Sequence, residues 1–161
     1  RYMLNKKARD MKFDKIVTGH NLDDESQAIL MNFLRNTMAQ QSRLGPISGS
    51  VRDKNFTPRV KPLYFCHEKD IKKYSQMLGF EVLYDRCPCI IDSFRNNIRD
   101  ILNAMPDNDK IKENVVTNFI KLLPKLKKQY STKEKVSVCE RCGEPASDHV
   151  CTTCKIIERL K

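Results

Sequence analysis

Short apolar runs separated by polar loops predict an α/β fold for most of the chain. The residues from Tyr2 to Met11 contain few helix breakers and predict the end of a helix, and the apolar residues Phe13, Ile16 and Val17 predict a short strand. Apolar side chains then recur at helical spacing: Leu22, Ala28, Ile29, Phe33, Leu34 and Met38. A strand, a polar loop and a helix in this order are typical of a parallel sheet that binds ligands at the carboxyl ends of its strands.

The middle of the chain predicts a long loop, two further strands and a helix. Residues 40–58 contain Gly45, Pro46 and Gly49 without a clear period, and we interpret them as a candidate substrate lid. Apolar residues predict a strand over 60–64, a helix that ends at Gly79 in a C-cap position, and another strand over 82–84.

Two later apolar stripes predict core-facing helices. The first consists of Phe94, Ile98, Ile101 and Leu102, and the second of Val115, Val116, Phe119, Ile120 and Leu123. Pro124 predicts the end of the second helix, because proline has no N–H to donate, and a lysine-rich linker follows. We therefore expect a main domain over residues 1–135 and a cysteine-bearing module over 136–161, which is too small to fold without a staple.

The charge of the chain favours a polyanionic partner. The 161 residues carry a formal net charge of +10 and have a pI near 9.3, so steering of nucleic acid is physically plausible. Each of the two basic runs, near the start and around residues 121–135, is also typical of a solvated face. No apolar run approaches the roughly 20 residues of a membrane-spanning helix, and no signal peptide is recognisable, so we expect a cytoplasmic protein that does not enter a membrane.

Four of the seven cysteines predict a zinc site near the C-terminus. Cys139 and Cys142 form one C-x-x-C pair, and Cys151 and Cys154 form another after eight intervening residues. Two such pairs can place four thiolates tetrahedrally around Zn²⁺, and a complete protein ligand set indicates a structural role. His149 as a competing ligand and an iron centre of the rubredoxin kind are the alternatives.

The loop Gly19–Glu25, with the sequence GHNLDDE, is the second chemical signal. Three adjacent carboxylates (Asp23, Asp24 and Glu25) would repel a bare phosphate, which suggests that at least one acts through Mg²⁺ or contacts a sugar or a base. The alternative is a well-capped helix start, where the helix dipole favours anions.

Cys87-Pro88-Cys89 is the third signal, at the end of a predicted strand. Two cysteines separated by one residue are poorly placed to chelate one tetrahedral zinc, so one functional thiol beside one buried thiol is the simpler interpretation. We expect Cys66 to be a core residue and His67 to lie on the surface at a helix start.

Several spaced motifs resemble the tRNA 2-thiolation enzymes of the PP-loop ATPase superfamily, in particular the TtuA-type group and its archaeal and eukaryotic wobble-uridine relatives. The segments are GHNLDDESQAILMNFLRN, RVKPLYFCHEKDIKKYS, CPC followed by SFRNNIRDIL, and CERCGEP with its second pair CTTC. The resemblance implies a PP-loop domain followed by a zinc ribbon. It also implies that ATP adenylates the C2 oxygen of a tRNA uridine before sulfur displaces AMP.

The same resemblance implies roles for individual residues. Gly19 and Asp24 match positions that contact ATP or assist catalysis, and His20 belongs to the same motif. Asp24 is the candidate for polarising or orienting the uridine or its attacking group, or for a metal-linked role. Cys87 matches the third ligand of a [4Fe-4S] cluster that leaves one iron free to carry sulfide. Cys89 stands where the family has an aromatic residue and is an alternative ligand. The implied partners are tRNA and a sulfur donor, either a thiocarboxylated ubiquitin-like carrier or sulfide, and a homodimer is expected.

The sequence lacks features of the family's N-terminal half. No SGGxDS-like pyrophosphate loop, N-terminal zinc module or upstream C-x-x-C pair is recognisable. We therefore expect this chain to be part of a longer polypeptide and to be an incomplete catalyst by itself. Two alternatives to uridine thiolation are a non-catalytic zinc-ribbon module that binds tRNA and a PP-loop enzyme that acts on cytidine.

Overall fold

The structure is a computed structural model that describes residues 2–48, 57–85, 93–130, 138–143, 146 and 148–160. In chain order its elements are α1 (Tyr2–Asp10), β1 (Ile16–Val17), α2 (Leu22–Leu34), α3 (Met38–Gln41), β2 (Ile47–Ser48), β3 (Arg59–Val60), α4 (Glu68–Met77), α5 (Phe94–Ala104), α6 (Asn108–Tyr130) and α7 (Thr152–Arg159). The chain divides into two compact units. Unit 1 comprises Arg1–Thr18, Ile47–Val60 and Thr132–Lys161, and unit 2 comprises Gly19–Pro46 and Lys61–Ser131.

Unit 1 contains a small three-stranded sheet in the order β1-β3-β2. β1 runs parallel to β3, with Ile16 opposite Arg59, whereas β2 runs antiparallel to β3. The predicted α/β class is therefore confirmed, with a mixed sheet in place of an all-parallel one. The loop predicted over 40–58 contributes β2, and residues 49–56 of the candidate lid lie outside the described residues.

Two strand predictions do not match the structure. β3 ends at Val60, and residues 62–65 form turns instead of continuing the strand predicted to Tyr64. Residues 81–84 form no strand, and Leu83 is 94% exposed. Apolar alternation stabilises a strand only where a neighbouring strand satisfies the backbone, and for 81–84 the described residues provide none.

Unit 2 is a helical unit whose core lies between α2 and α6. Its buried cluster consists of Leu22, Ile29, Tyr64, Val116, Phe119, Leu123 and Leu126. α2 ends at Leu34, earlier than its apolar pattern, because Asn36 adopts a left-handed conformation with φ 53° that breaks the helix before α3. α5 buries Ile98 and Leu102, while Ile101 of the predicted stripe is 53% exposed.

α6 passes through Pro124, so the predicted helix end and linker are wrong. The helix extends to Tyr130 and contains the proline in its interior. An interior proline costs about 3 kcal/mol because it removes one hydrogen bond and crowds the preceding turn. Leu123 and Leu126 on either side are buried in the core, and their packing offsets this cost. Among the described residues, no helix is long and apolar enough to cross a bilayer.

Candidate active site and candidate metal centre

The loop before α2 forms a complete capping box. The side-chain Oδ1 of Asn21 accepts a hydrogen bond from the Asp24 N–H at 2.9 Å, and Asp24 Oδ2 accepts one from the Asn21 N–H at 3.2 Å. Leu22 N–H also donates to the Cys66 carbonyl at 2.9 Å. The first turn of α2 is therefore fixed both by its own residues and by the segment before α4.

Asp23 is a buried link between three helices. Its Oδ1 pairs with Lys112 Nζ of α6 at 2.7 Å, and its Oδ2 accepts from the Glu68 N–H at the start of α4, also at 2.7 Å. The two side chains of the ion pair are 9% and 7% exposed. A buried carboxylate in this position is stable only because a cation and a backbone donor both satisfy it.

Glu25 forms the second buried ion pair of the loop. Its Oε1 lies 2.7 Å from Lys61 Nζ, with side-chain exposures of 2% and 8%. Glu25 Oε2 and the Tyr64 hydroxyl are buried with no partner among the described residues. Burial and, to a smaller extent, the charge of Glu25 raise the pKa of Tyr64, so the phenol stays protonated.

Asp24 is the most accessible of the three carboxylates, at 35% exposure against 9% for Asp23 and 2% for Glu25. Its Oδ1 accepts from Arg95 Nη2 of α5 at 2.6 Å, and Arg95 Nε donates to Gln27 Oε1 at 3.0 Å. A carboxylate held by an N–H on one oxygen and a guanidinium on the other has a fixed orientation.

Each carboxylate of the loop is thus paired with a cation of unit 2. The expectation that three adjacent negative charges repel phosphate assumed that they were uncompensated, and the structure supplies Lys112, Arg95 and Lys61 as counterions. The alternative of a well-capped helix start is borne out by the capping box of Asn21 and Asp24, and the charge of the loop is locally balanced. The prediction of a Mg²⁺ contact stays a prediction.

Gly19 and His20 precede this cap and are exposed. A Cβ built on Gly19 would meet no described atom within 4 Å. The backbone at Gly19 is therefore open to close approach by a ligand, as a nucleotide contact requires.

The segment before α4 corrects two predictions. Cys66, expected in the core, is exposed. The His67 side chain, expected on the surface, is only 13% exposed, and its Nε2 lies 3.0 Å from Glu113 Oε1 of α6. His67 and Lys110 lower the pKa of Glu113 through hydrogen bonds, and Lys69 lowers the pKa of Asp109 in the same way. Both predictions used only the residues next to Cys66 and His67 in the sequence. Those neighbours do not show that α6 packs against this segment.

The four C-terminal cysteines converge as the spacing predicts. The Sγ atoms of Cys139, Cys142, Cys151 and Cys154 all lie within 4.8 Å of one another. Cys142 Sγ and Cys151 Sγ are 3.7 Å apart. This matches the edge of about 3.8 Å expected for a tetrahedron with zinc–sulfur bonds of about 2.3 Å.

Backbone geometry around these thiols also suits a metal. Gly143 takes the left-handed conformation with φ +69° behind the first pair, and its N–H donates to the Cys139 carbonyl at 2.8 Å. The Cys151 N–H donates to Cys139 Sγ at 3.3 Å. This hydrogen bond is the largest cause, beside further backbone N–H groups, that lowers the pKa of Cys139 to about 6. Desolvation raises the pKa values of Cys142 and Cys154, to about 11 and about 12, so without a cation these thiols resist ionisation.

His149 is not part of this group. Its Nδ1 lies 2.9 Å from Glu140 Oε1, and its side chain is 85% exposed. The four thiols alone could hold one metal ion, and they fit a closed structural site. Cys87 and Cys89 lie outside the described residues, so the structure does not test their assignment to a cluster.

Sequence reasoning missed the three cations that pair with the loop. Lys61, Arg95 and Lys112 follow Glu25, Asp24 and Asp23 by 36, 71 and 89 positions, respectively. Lys61 and Arg95 do occur in the segments RVKPLYF and SFRNNIRDIL that carry the family resemblance. That is the one sequence signal that could have connected them to the loop.

The apolar groove between α2 and α6 contains none of the predicted site residues. Its walls are formed mainly by Ile29, Leu30 and Phe33 of α2 and by Val115 and Phe119 of α6.

Comparison with known proteins matches the whole of this chain to tRNA 2-thiolation proteins. It is 32% identical over 156 residues to the tRNA-5-methyluridine(54) 2-sulfurtransferase of Pyrococcus horikoshii, which is 96% of this chain and 49% of the relative. It is 30% identical over 161 residues to cytoplasmic tRNA 2-thiolation protein 1 of Anopheles gambiae, 99% of this chain and 46% of the relative. Over nearly its whole length, this chain is therefore similar to tRNA 2-thiolation proteins. The predicted family resemblance is confirmed.

Further relatives show the same similarity. tRNA 2-thiolation protein NcsA of Haloferax volcanii is 28% identical over 169 residues, which cover 100% of this chain and 53% of the relative. Among solved structures, the U34-tRNA thiolase NcsA from Methanococcus maripaludis with its [4Fe-4S] cluster superposes with a TM-score of 0.70 at 26% identity, over 99% of this chain and 50% of that one. No family model matches the sequence. The chain spans about half the length of the curated relatives it matches.

Proposed function

We propose that this chain is part of an ATP-dependent enzyme that replaces the C2 oxygen of a tRNA uridine by sulfur. The observation that carries the proposal is the match along 96–100% of the chain to proteins named as tRNA 2-thiolation proteins or tRNA 2-sulfurtransferases. The net charge of +10 supports a tRNA substrate.

The proposed reaction has two steps. The uridine C2 oxygen attacks the α-phosphorus of ATP and expels pyrophosphate, which converts a poor leaving oxygen into a good one. A sulfur nucleophile then forms a bond to C2, and AMP leaves with the original oxygen. The sulfur is donated by a thiocarboxylated ubiquitin-like carrier or by sulfide.

Within this scheme the loop before α2 belongs to a PP-loop ATPase domain and contacts ATP. Gly19, with open space at its Cα, lets the nucleotide approach the backbone, and His20 lies exposed beside it. Asp24 is the candidate catalytic carboxylate because it is the most exposed of the three. The capping box and Arg95 hold its two oxygens, so Asp24 orients the uridine or a Mg²⁺ ion that arrives with ATP.

Cys87 is proposed as one ligand of a [4Fe-4S] cluster, with Cys89 as the alternative. Support comes from the CPC motif and from the structural neighbour that contains such a cluster. When bound, the cluster supplies an iron that can carry sulfide. Because both cysteines lie outside the described residues, we derive no step of the reaction through it.

The four-cysteine group is proposed to hold Zn²⁺ in a structural ribbon over residues 136–161, following a catalytic domain over residues 1–135. The convergence of the four Sγ atoms supports the site, and a closed thiolate set is typical of zinc. We further propose a cytoplasmic homodimer, and the relative named as cytoplasmic supports the location.

The test of this function is anaerobic purification of the full-length protein, followed by iron, sulfide and zinc analysis and an ATP-dependent tRNA thiolation assay. Wild type is compared with Cys87→Ser, Cys89→Ser and the control Cys66→Ser, which removes an exposed thiol outside both cysteine groups. We expect iron and activity to be lost together only in Cys87→Ser, with zinc retained in all variants.

The outcomes separate the parts of the proposal. If iron-free wild-type protein thiolates tRNA, the proposed [4Fe-4S] cluster is wrong, but the proposed thiolation activity stands. Loss of iron in Cys89→Ser alone would assign the cluster ligand to Cys89 instead of Cys87. Wild type that binds tRNA but never thiolates it in the presence of ATP and sulfide would favour a non-catalytic tRNA-binding module.

A further inference from the structure

The C-terminal half of α6 has an exposed row of lysines that the candidate site does not use. Lys121, Lys125 and Lys128, here called the lysine ridge, are exposed along this helix. They follow one another at positions i, i+4 and i+7, which brings them to one face over a rise of about 10 Å. This face is opposite the buried stripe that contains Phe119, Leu123 and Leu126.

The lysines in the two halves of α6 differ in whether they form ion pairs. In the N-terminal half, Lys110 pairs with Glu113 at 3.2 Å and Lys112 pairs with Asp23 at 2.7 Å. In the C-terminal half, the sequence contains no acidic residue between Glu113 and Tyr130. Within the part of the chain that the structure describes, none of the ridge lysines forms an ion pair.

The helix dipole explains only part of the row of exposed lysines. Lysines in the last turn interact favourably with the negative end of the helix dipole, and Lys127 and Lys128 occupy that turn. Lys121 and Lys125 lie before the last turn, where the dipole effect has faded. Three like charges at i, i+4 and i+7 repel one another and destabilise an isolated helix. A bound anion would remove this repulsion.

We propose that the lysine ridge binds consecutive phosphates of the tRNA backbone. The inference rests on the proposed function, and it adds the surface that contacts the substrate. Charge complementarity selects a polyanion, and lysine is a flexible point charge suited to phosphates rather than to the edges of bases. The ridge therefore positions tRNA without reading its sequence.

The experiment compares two triple variants of the full-length protein with equal loss of charge. The ridge variant carries Lys121→Gln, Lys125→Gln and Lys128→Gln. The control carries Lys69→Gln, Lys72→Gln and Lys110→Gln, which are exposed lysines engaged with Asp109, the Tyr84 ring and Glu113, respectively. The dissociation constant for unmodified tRNA is measured at several salt concentrations, and circular dichroism checks the helix content.

Each lysine–phosphate contact contributes roughly 0.7–0.9 to the slope of log K against log salt. We expect the magnitude of that slope to be smaller by about 2–3 in the ridge variant, and the variant to bind tRNA about tenfold or more weakly near 0.1 M salt. The control should retain the wild-type slope. The loss should be the same for tRNAs of different sequence, because phosphates carry no sequence information.

Equal slopes and affinities in the ridge variant and the control would overturn the inference. If the wild type binds and thiolates tRNA in that case, the proposed function is untouched. Failure of the wild type itself to bind tRNA would instead refute the function. Unchanged tRNA affinity with slower thiolation from a protein sulfur donor would assign the ridge to an acidic carrier and also overturn the inference. Should the triple variant lose helix content, Lys125→Gln alone tests the same slope, with an expected loss of about 1.

Discussion

The start of α2 and the four-cysteine module differ in where a counterion for negative charge can come from. At α2, three carboxylates are paired with Lys112, Arg95 and Lys61, cations that the chain itself supplies from distant positions. In the module, four sulfur ligands lie together, and Cys139 is the one buried side chain among its described residues, 138–143, 146 and 148–160. The first region balances its charges without a ligand, whereas the second has too little core to hold four thiolates without a cation.

Removal of metal should have the largest effect, and only on the module. For Cys139→Ser or a strong chelator, we expect the module to lose its order and its metal, because structural zinc contributes about 10 kcal/mol or more to such modules. The measurement is zinc content together with two-dimensional amide NMR, in which signals of residues 138–160 collapse while those of α2 and α6 persist.

The matched control for that experiment is Cys66→Ser, which alters an exposed thiol far from the four-cysteine group in sequence. It should retain both metal and NMR spectrum. If Cys139→Ser kept full zinc stoichiometry, the four-thiol site would be wrong. If α2 signals also collapsed, the two regions would not be independent in the way their chemistry suggests.

Breaking the buried pair at α2 should have the next largest effect. For Lys112→Met we expect a loss of about 3–5 kcal/mol in the free energy of unfolding, because Asp23 would be left as a buried, uncompensated charge. Urea unfolding followed by circular dichroism measures it. Zinc content should not change, which is the converse of the first experiment.

Lys110→Met is the control, because Lys110 belongs to the same helix but forms an exposed pair and is 71% exposed. Exposed pairs contribute at most about 1 kcal/mol. The double variant Asp23→Asn with Lys112→Met should recover part of the loss, since no buried charge remains. Similar losses for Lys110→Met and Lys112→Met would contradict a special role for burial.

The sequence predicted the four-cysteine group better than it predicted the contacts of the loop, and the sequence separation of the residues explains the difference. The four cysteines lie within 16 positions, and C-x-x-C spacing fixes their geometry locally. The ion pairs of the loop span 36 to 89 positions, and no local pattern encodes them. The helices α2, α4, α5 and α6 followed from apolar spacing, and α1 followed from the lack of helix breakers. The passage of α6 through Pro124 depended on tertiary packing that outweighs local propensity.

Short-range signals failed in the same way around α4. The apolar alternation over residues 81–84 predicted a strand, but no described strand pairs with these residues. The position of Cys66 after an apolar run predicted burial, but Cys66 is exposed. Both depended on which elements pack nearby, which one sequence does not show. The left-handed Gly79, with φ +67°, was predictable because that conformation is a property of the residue itself.

Asp24 combines structural and proposed catalytic roles, and two substitutions separate them. Asn21→Ala removes one hydrogen bond of the cap and should cost about 1 kcal/mol with thiolation largely retained. Asp24→Ala should cost a similar amount but abolish thiolation, as expected if the carboxylate orients substrate. Unfolding and single-turnover thiolation are measured on the same full-length preparations. Equal activity in both variants would reduce Asp24 to a helix cap.

The smallest expected effect is a dependence of stability on pH near His67. Hydrogen bonds from His67 and Lys110 lower the pKa of Glu113 from its ordinary value of 4.5. A carboxyl whose pKa is lower in the folded state stabilises the fold above its unfolded pKa, and this contribution is lost as pH falls through the folded value. Glu113→Gln should therefore lower the melting temperature slightly near neutral pH, and the difference from wild type should disappear as the pH falls below the folded pKa of Glu113. A difference that persisted in acid would mean that Glu113 acts through packing rather than charge, unlike the carboxylates of α2.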